Sequence, residues 1–270
     1  MSDTSILVAG VGGRMGRAIA SEVLRTPGAA LAGGFERPDG ADIGKDIGVL
    51  SGLDAIGLKV EDAPAAGLKR ASALIDFTAP EATLANARAA AAANVAHVIG
   101  TTGFDPAQEE EIEALSQKIP IVKSGNMSAG VTLLTALVEM AARALDNDYD
   151  IEIFEAHHRF KVDAPSGTAL MLGEAAAVGR DVSLSDAAAG LTETRAGARR
   201  DGDIGFSVSR GGGVVGEHSV SFASDQEIVT LSHSAIDRGL FAKGAVRAAQ
   251  WAIGSAPGLY SMRDVLGIPG

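Results

Sequence analysis

The sequence predicts a two-domain α/β fold: a Rossmann-like doubly wound sheet, joined to an α+β domain with a mostly antiparallel or mixed sheet. Three observations carry this expectation. Strand and helix signals alternate from Ile6 to Lys123, the pattern of repeated βαβ units. A glycine-rich turn separates the first strand signal from the first helix signal. Three strand signals follow one another between Ile204 and His233 with no helix between them, which points to antiparallel pairing.

In chain order, Ile6–Ala9 is a short β-rich run that ends in glycines. Arg14 to Leu24 then places Met15, Ile19, Val23 and Leu24 on one helical face. Ala30–Phe35 reads as a second strand and Leu74–Phe77 as a third. Pro80 opens an Ala-rich helix to about Asn94, because proline's missing N–H costs nothing in a first turn. Ala96–Ile99 is a fourth strand. Asp105-Pro106 opens an acidic helix with Asp105 as its N-cap, and Glu109-Glu110-Glu111 suits the positive end of that helix. Ile119–Lys123 is a fifth strand.

The pattern changes after Ser128. Val131–Leu145 is one amphipathic helix, Ile151–Ala156 a strand, and Ser166–Val178 a helix capped by Ser166. Arg180 to Asp203 is weakly patterned and reads as a long loop with short elements. Strands Ile204–Arg210, Val214–Phe222 and Glu227–His233 follow, and Leu240–Ile253 is a last helix. The expected domains are residues 1–128 with 239–270, and an inserted 129–238.

Composition narrows the function. The chain has 270 residues and no Cys, which excludes disulfides, Cys-ligated metals and any thiol nucleophile. A net charge of −11 with 4% aromatics argues against nucleic-acid binding, which needs clustered Lys and Arg. No apolar run approaches the ~18 residues of a membrane span, and Met-Ser-Asp-Thr-Ser lacks the layout of a signal peptide. A cytoplasmic protein with no membrane partner is expected.

The turn Gly10-Val11-Gly12-Gly13-Arg14-Met15-Gly16 lets backbone approach a pyrophosphate at a helix N-terminus. Its third glycine arrives one position later than in the usual G-x-G-x-x-G spacing. Arg14 offers a phosphate contact. Glu36 follows the second strand about 20 residues on, where a carboxylate accepts from ribose hydroxyls. Arg37 beside it suits a 2′-phosphate, so the pair suggests tolerance of both NADH and NADPH. Gly100-Thr101-Thr102-Gly103 and Ser124-Gly125-Asn126-Met127 end the fourth and fifth strands, the side of an open sheet on which ligands bind.

The densest chemistry runs from Glu155 to Ala169, Glu-Ala-His-His-Arg-Phe-Lys-Val-Asp-Ala-Pro-Ser-Gly-Thr-Ala. His157 and His158 can exchange protons near neutral pH, Lys161 adds a cation, and the helix start at Ser166 provides amides for an anion. This describes a site for a small, multiply anionic substrate undergoing proton transfer, although a solvated charged loop has the same composition. No third ligand of suitable spacing makes the histidines a metal site, so no metal is expected. His97, His218 and His233 read as satisfied structural histidines, and Arg210 with Gly211-Gly212-Gly213 as a tight strand connection first and a substrate-anion contact second.

With these motifs the chain resembles the dihydrodipicolinate reductase (4-hydroxy-tetrahydrodipicolinate reductase) family from Ile6 to Val265. Val215-Gly216-Glu217-His218 and Met262-Arg263-Asp264-Val265 match as well. The resemblance implies NAD(P)H-dependent reduction of a cyclic hydroxy-dicarboxylate in lysine and diaminopimelate biosynthesis. It implies His157 as proton donor or acceptor, Lys161 as a second donor, and His158, Gly167 and Thr168 as substrate contacts. Gly10, Val11, Gly12, Gly13, Arg14, Met15, Glu36, Arg37, Gly100, Thr101, Thr102, Ser124, Gly125, Asn126 and Met127 match its cofactor contacts. Phe160 departs from the family, which often has a third His there, and residues 180–200 match no family feature. Closure between the domains near Ser128 and Arg238–Gly239 is expected, as is a homotetramer joined through the second domain's sheet. Sedimentation at micromolar concentration is therefore expected to give a tetramer, and a monomer alone would overturn that expectation.

Overall fold

The computed structural model describes residues 3–189 and 198–269. The chain divides into two compact units, Met1–Ser128 with Gly239–Gly270, and Ala129–Arg238.

The first unit runs β1 (Thr4–Ala9), α1 (Arg14–Arg25), β2 (Ala29–Phe35), α2 (Ile47–Leu50), α3 (Ala65–Leu68), β3 (Ala73–Asp76), α4 (Pro80–Ala93), β4 (Ala96–Ile99), α5 (Pro106–Ser116) and β5 (Pro120–Lys123). Successive strand residues face opposite sides, and both sides of this sheet are covered. Ile6, Val8, Ile75 and Val98 pack against Ile19 and Val23 of α1 on one face. Leu7, Leu74, Ile99 and Ile121 pack against Leu84 of α4 and Ile112 of α5 on the other. Fully buried strands of this kind are what parallel sheets require. Asp105 caps α5 in a capping box with Gln108, as its position before Pro106 suggests.

The second unit holds α6 (Ala129–Ala144), β6 (Asp150–His157), α7 (Gly167–Gly179), α8 (Leu184–Ala187), β7 (Ala188–Ala189), β8 (Ile204–Arg210), β9 (Gly216–Ala223) and β10 (Ile228–Ala235). The chain then returns to the first unit with α9 (Gly239–Ala252), β11 (Gly258–Tyr260) and α10 (Met262–Leu266). The expectation that the chain closes on one helix is thus incomplete. Gly258–Tyr260 is too short to show a period in sequence, yet it adds a parallel edge strand beside β5.

The first sheet has the order β11-β5-β4-β3-β1-β2, and each pairing is parallel. The order reverses at β1, which has β2 on one side and β3 on the other. A crevice therefore opens beyond the carboxyl ends of these three strands. Gly10 turns the chain there with φ +62°. α1 can start so close to β1 only because residue 16 is glycine, since a Cβ there would lie 2.1 Å from the Gly10 carbonyl oxygen.

The second sheet has the order β10-β9-β6-β8-β7 and is mixed. β9 pairs antiparallel with β6 and β10, as three successive strand signals suggest. β8 corrects that reading, because it runs parallel to β6. The connection between these two is not a hairpin but a crossover through α7, and a crossover returns the chain in the same direction. Of the unmatched stretch 180–200, residues 190–197 lie outside the described residues. Leu134 and Val138 of α6 and Leu172 and Ala176 of α7 cover Ile151, Ile153, Val220 and Phe222 on one face of the sheet. Phe154 and Val208 on its strands stay exposed.

The Gly16 contact yields a stability prediction. Gly→Ala inside a helix ordinarily stabilises by about 0.5–1 kcal/mol. Gly16→Ala is instead expected to cost about 1–3 kcal/mol through overpacking against backbone. A thermal melt shows this as a lower Tm, and an unchanged or raised Tm would contradict the close approach.

Candidate active site

The second unit's site is built by strand alternation. In β6, Ile151, Ile153, Glu155 and His157 share one face, the first two within the core and the last two at the strand's carboxyl end. β9 brings His218 opposite Glu155, and β8 brings Arg210 opposite His157. The helix α7 then starts next to them, with Ser166 as its cap.

Glu155 has no exposed surface, yet both of its oxygens are bonded twice. Arg210 grips it with two parallel bonds, Nη1 to Oε2 at 2.7 Å and Nη2 to Oε1 at 2.8 Å. His157 Nδ1 lies 2.6 Å from Oε2, and the Ser166 amide donates to Oε1 at 2.9 Å. Burial alone would raise its pKa, but Arg210, His157 and the Ser166 amide together hold it below the usual carboxylate range.

His157 therefore meets a carboxylate through Nδ1, and its Nε2 makes no hydrogen bond among the described residues. Gly216 leaves room beside that nitrogen, since a Cβ there would lie 3.2 Å from Nε2. His218 packs edge-on against the His157 ring at 5.1 Å between centroids. Its Nε2 sits 3.1 Å from the Ser166 hydroxyl. Burial, followed by the neighbouring His157, pushes the His218 pKa down to about 4, so this ring is neutral at pH 7. His158 lies 2.9 Å from Arg238 Nη2 through Nε2, and burial and that guanidinium lower its pKa too. Lys161 reaches Asp163 at 2.8 Å. Gly167 and Thr168 are the first two residues of α7, and Ser166 Oγ accepts from the Ala169 amide.

In the first unit, the Gly12 amide donates to Glu36 Oε1 at 2.8 Å. Glu36, Arg37, Gly10, Phe35, Thr78 and Asn86 are among the residues lining a cavity of about 470 Å³ beyond the carboxyl ends of β1, β2 and β3. Gly13 caps α1 without a side-chain bond, and Arg14 is exposed. A glycine turn, a bare helix start, a carboxylate after β2 and an adjoining cavity fit a dinucleotide. Val11 and Met127 have buried side chains in the core, so only their backbones can meet a ligand. Ser124 Oγ donates to the Asn126 carbonyl, and Asn126 Oδ1 accepts from the Ser128 amide, which fixes that loop. Gly100, Thr102 and Gly125 are at least partly accessible.

Thr101 is buried and hydroxyl-bonded to Thr83 at 2.8 Å, and Thr83 in turn donates to Asp76. Asp76, at the end of β3, also accepts from Thr78 and Asn86. Sequence reasoning passed over this buried cluster, and also Glu155 and Arg210 as partners of His157. The signal for Glu155 was present, because Ile-x-Ile-x-Glu-x-His places it on the buried face of a strand. His97 is fully buried, as a structural histidine would be, with Nε2 3.6 Å from Asp76 Oδ2, though among the described residues neither ring nitrogen makes a full hydrogen bond.

Comparison with known proteins decides the family. The family model described as dihydrodipicolinate reductase, N-terminus, matches residues 4–127, and that for its C-terminus matches residues 130–266. The chain belongs to the dihydrodipicolinate reductase family. The 4-hydroxy-tetrahydrodipicolinate reductase of Parvibaculum lavamentivorans is 53% identical over 268 residues, 99% of both chains. That of Dinoroseobacter shibae is 54% identical over 99% of this chain and 100% of its own. A dipicolinate-bound dihydrodipicolinate reductase from a Paenisporosarcina species has the same fold, with a TM-score of 0.76 at 24% identity over 96% of this chain and 97% of its own. Among the described residues of this reductase-family chain, no three metal-ligating side chains cluster, and no helix is long and apolar enough to cross a membrane.

The Glu155–Arg210 pair gives a pH-dependent prediction. Its carboxylate is held ionised, so the stability it contributes is present at neutral pH and lost as pH falls through its lowered pKa. Arg210→Leu leaves a buried, unanswered charge and is expected to cost about 3–5 kcal/mol at pH 7. In that variant Glu155 gains a proton more readily, so the loss shrinks toward pH 4. Urea melts across this range check it, and a loss independent of pH would contradict the pairing.

Proposed function

We propose that this chain reduces 4-hydroxy-tetrahydrodipicolinate to tetrahydrodipicolinate with NADH or NADPH and with loss of water, a step of lysine and diaminopimelate biosynthesis. The full-length match to reductases at 53–54% identity supports the reaction. The observation that carries the site assignment is His157 bonded through Nδ1 to a buried, ionised Glu155 beside the start of α7.

The dinucleotide, when bound, supplies the hydride; the remaining work falls to side chains of this chain. Gly10 to Met15 and Glu36 would hold it, with Arg37, Gly100 to Thr102 and Ser124 to Met127 adjoining. The Gly167 and Thr168 amides lie at the positive end of α7 and would receive one substrate carboxylate. Lys161 would leave Asp163 for substrate and serve as the second proton donor, and His158 would contact the substrate as a neutral ring. His157 would give or take the proton at the carbon next to the hydride acceptor through Nε2. Glu155 keeps that nitrogen outward and stabilises the imidazolium when it forms. The dicarboxylate substrate class is supported by the dipicolinate bound to the Paenisporosarcina enzyme. A homotetramer is supported by apolar side chains left exposed on the second unit's strands, Phe154, Val208, Ile228 and Val229. A cytoplasmic location fits a biosynthetic enzyme of this kind.

The test is oxidation of NADH and NADPH followed with freshly generated hydroxytetrahydrodipicolinate, with and without pyridine-2,6-dicarboxylate as inhibitor. Turnover that the inhibitor suppresses is expected, and no turnover with either dinucleotide would overturn the reading. His157→Gln is expected to lower kcat by about 10²–10⁴-fold, the contribution typical of one general acid, with NADH affinity nearly unchanged. Unchanged turnover in that variant would remove His157 from the chemistry.

A further inference from the structure

The loop between Glu36 and α2 folds back over the glycine turn and brings a second carboxylate there. Asp42 is bound on both oxygens, by Arg17 Nη2 at 2.9 Å on Oδ2 and by Lys45 Nζ at 2.7 Å on Oδ1. Arg17 also donates through Nε to the Gly12 carbonyl at 2.7 Å, which ties the ion pair to the turn. A Cβ on Gly12 would lie 2.5 Å from Asp42 Oδ2 and 3.0 Å from Glu36 Oε1. Two carboxylates therefore converge on one spot above Gly12, beside the cavity that Glu36 and Arg37 line. Like charges this close repel, and the two cations are what keep Asp42 in place. The same two cations hold its carboxyl below the usual range.

We propose that Asp42 is a specificity-determining residue for the dinucleotide, disfavouring a 2′-phosphate and so favouring NADH over NADPH. The proposal rests on the cofactor reading above and deepens it. Glu36 stands where ribose hydroxyls are received, so a group on the 2′ oxygen arrives near the spot that both carboxylates face. A hydroxyl can donate to a carboxylate, whereas a phosphate dianion is repelled by it. Asp42 acts a second time by occupying the cations of Arg17 and Lys45, which would otherwise be open to a phosphate. Discrimination of this kind comes from a repulsive element as much as from an attractive one. Arg37 alone would favour the phosphate, and Asp42 offsets it.

Asp42→Asn keeps the shape and removes the charge, and Asp42→Ala removes both. Equilibrium binding of NADH and NADPH to wild type and both variants, followed by dinucleotide fluorescence, provides the test. Each variant is expected to tighten NADPH by roughly tenfold while NADH changes by less than about twofold. The gain should shrink as salt is added, because the charges are partly exposed. An unchanged ratio of the two affinities, or an equal tightening of both, would overturn the role of Asp42. Absence of binding by either dinucleotide to the wild type would instead overturn the cofactor reading itself, and the proposal with it.

Discussion

A carboxylate with no exposed surface must have its charge answered from within the protein, and at Glu155 it is answered by three groups from three elements. Arg210 comes from β8, His157 from the end of β6, and the Ser166 amide from the cap of α7. Each partner is thereby fixed relative to the others. The His157 ring, the helix start and the cation that stabilises the carboxylate cannot shift independently while that charge stays buried. The parallel pairing of β8 with β6 is what makes this possible, because it sets Arg210 directly across from His157.

The first unit solves a different problem with similar means. Its sheet is buried on both faces, so polar groups gather at the carboxyl ends of the strands. Asp76, Thr78, Thr83, Asn86 and Thr101 satisfy one another there and join the end of β3 to the loop after β4. Gly16 lets α1 start close against the glycine turn after β1, because a Cβ there would meet the Gly10 carbonyl. A chain of net charge −11 can then hold an anionic dinucleotide locally, through helix-start amides and Arg14, while the protein as a whole remains acidic.

Much of this was legible in the sequence because it rests on local rules. The βαβ alternation, the glycine turn, Asp105 and Ser166 as caps, and the run from Glu155 to Ala169 all have short-range signatures. The parallel placement of β8 was not legible, since pairing depends on which element bridges two strands and not on the strands themselves. Three-residue β11 was too short to carry a period. The roles of Arg210 and Asp42 depend on contacts across 55 and 25 positions, which no local pattern encodes. His218 has a double place, because it is a neutral, buried ring as a structural histidine would be, yet it touches both His157 and Ser166. The sequence marks such a residue only as a histidine in a strand.

Glu155 holds His157 by its Nδ1, and the proposed role of Nε2 as proton carrier depends on that contact. Nitrogen-15 NMR of the imidazole, with His157 assigned by substitution, tests it most directly. The neutral ring is expected to bear its proton on Nδ1, facing the carboxylate, with Nε2 unprotonated. A neutral ring protonated on Nε2 would contradict it, because Nδ1 would then face an ionised carboxylate with no proton to donate.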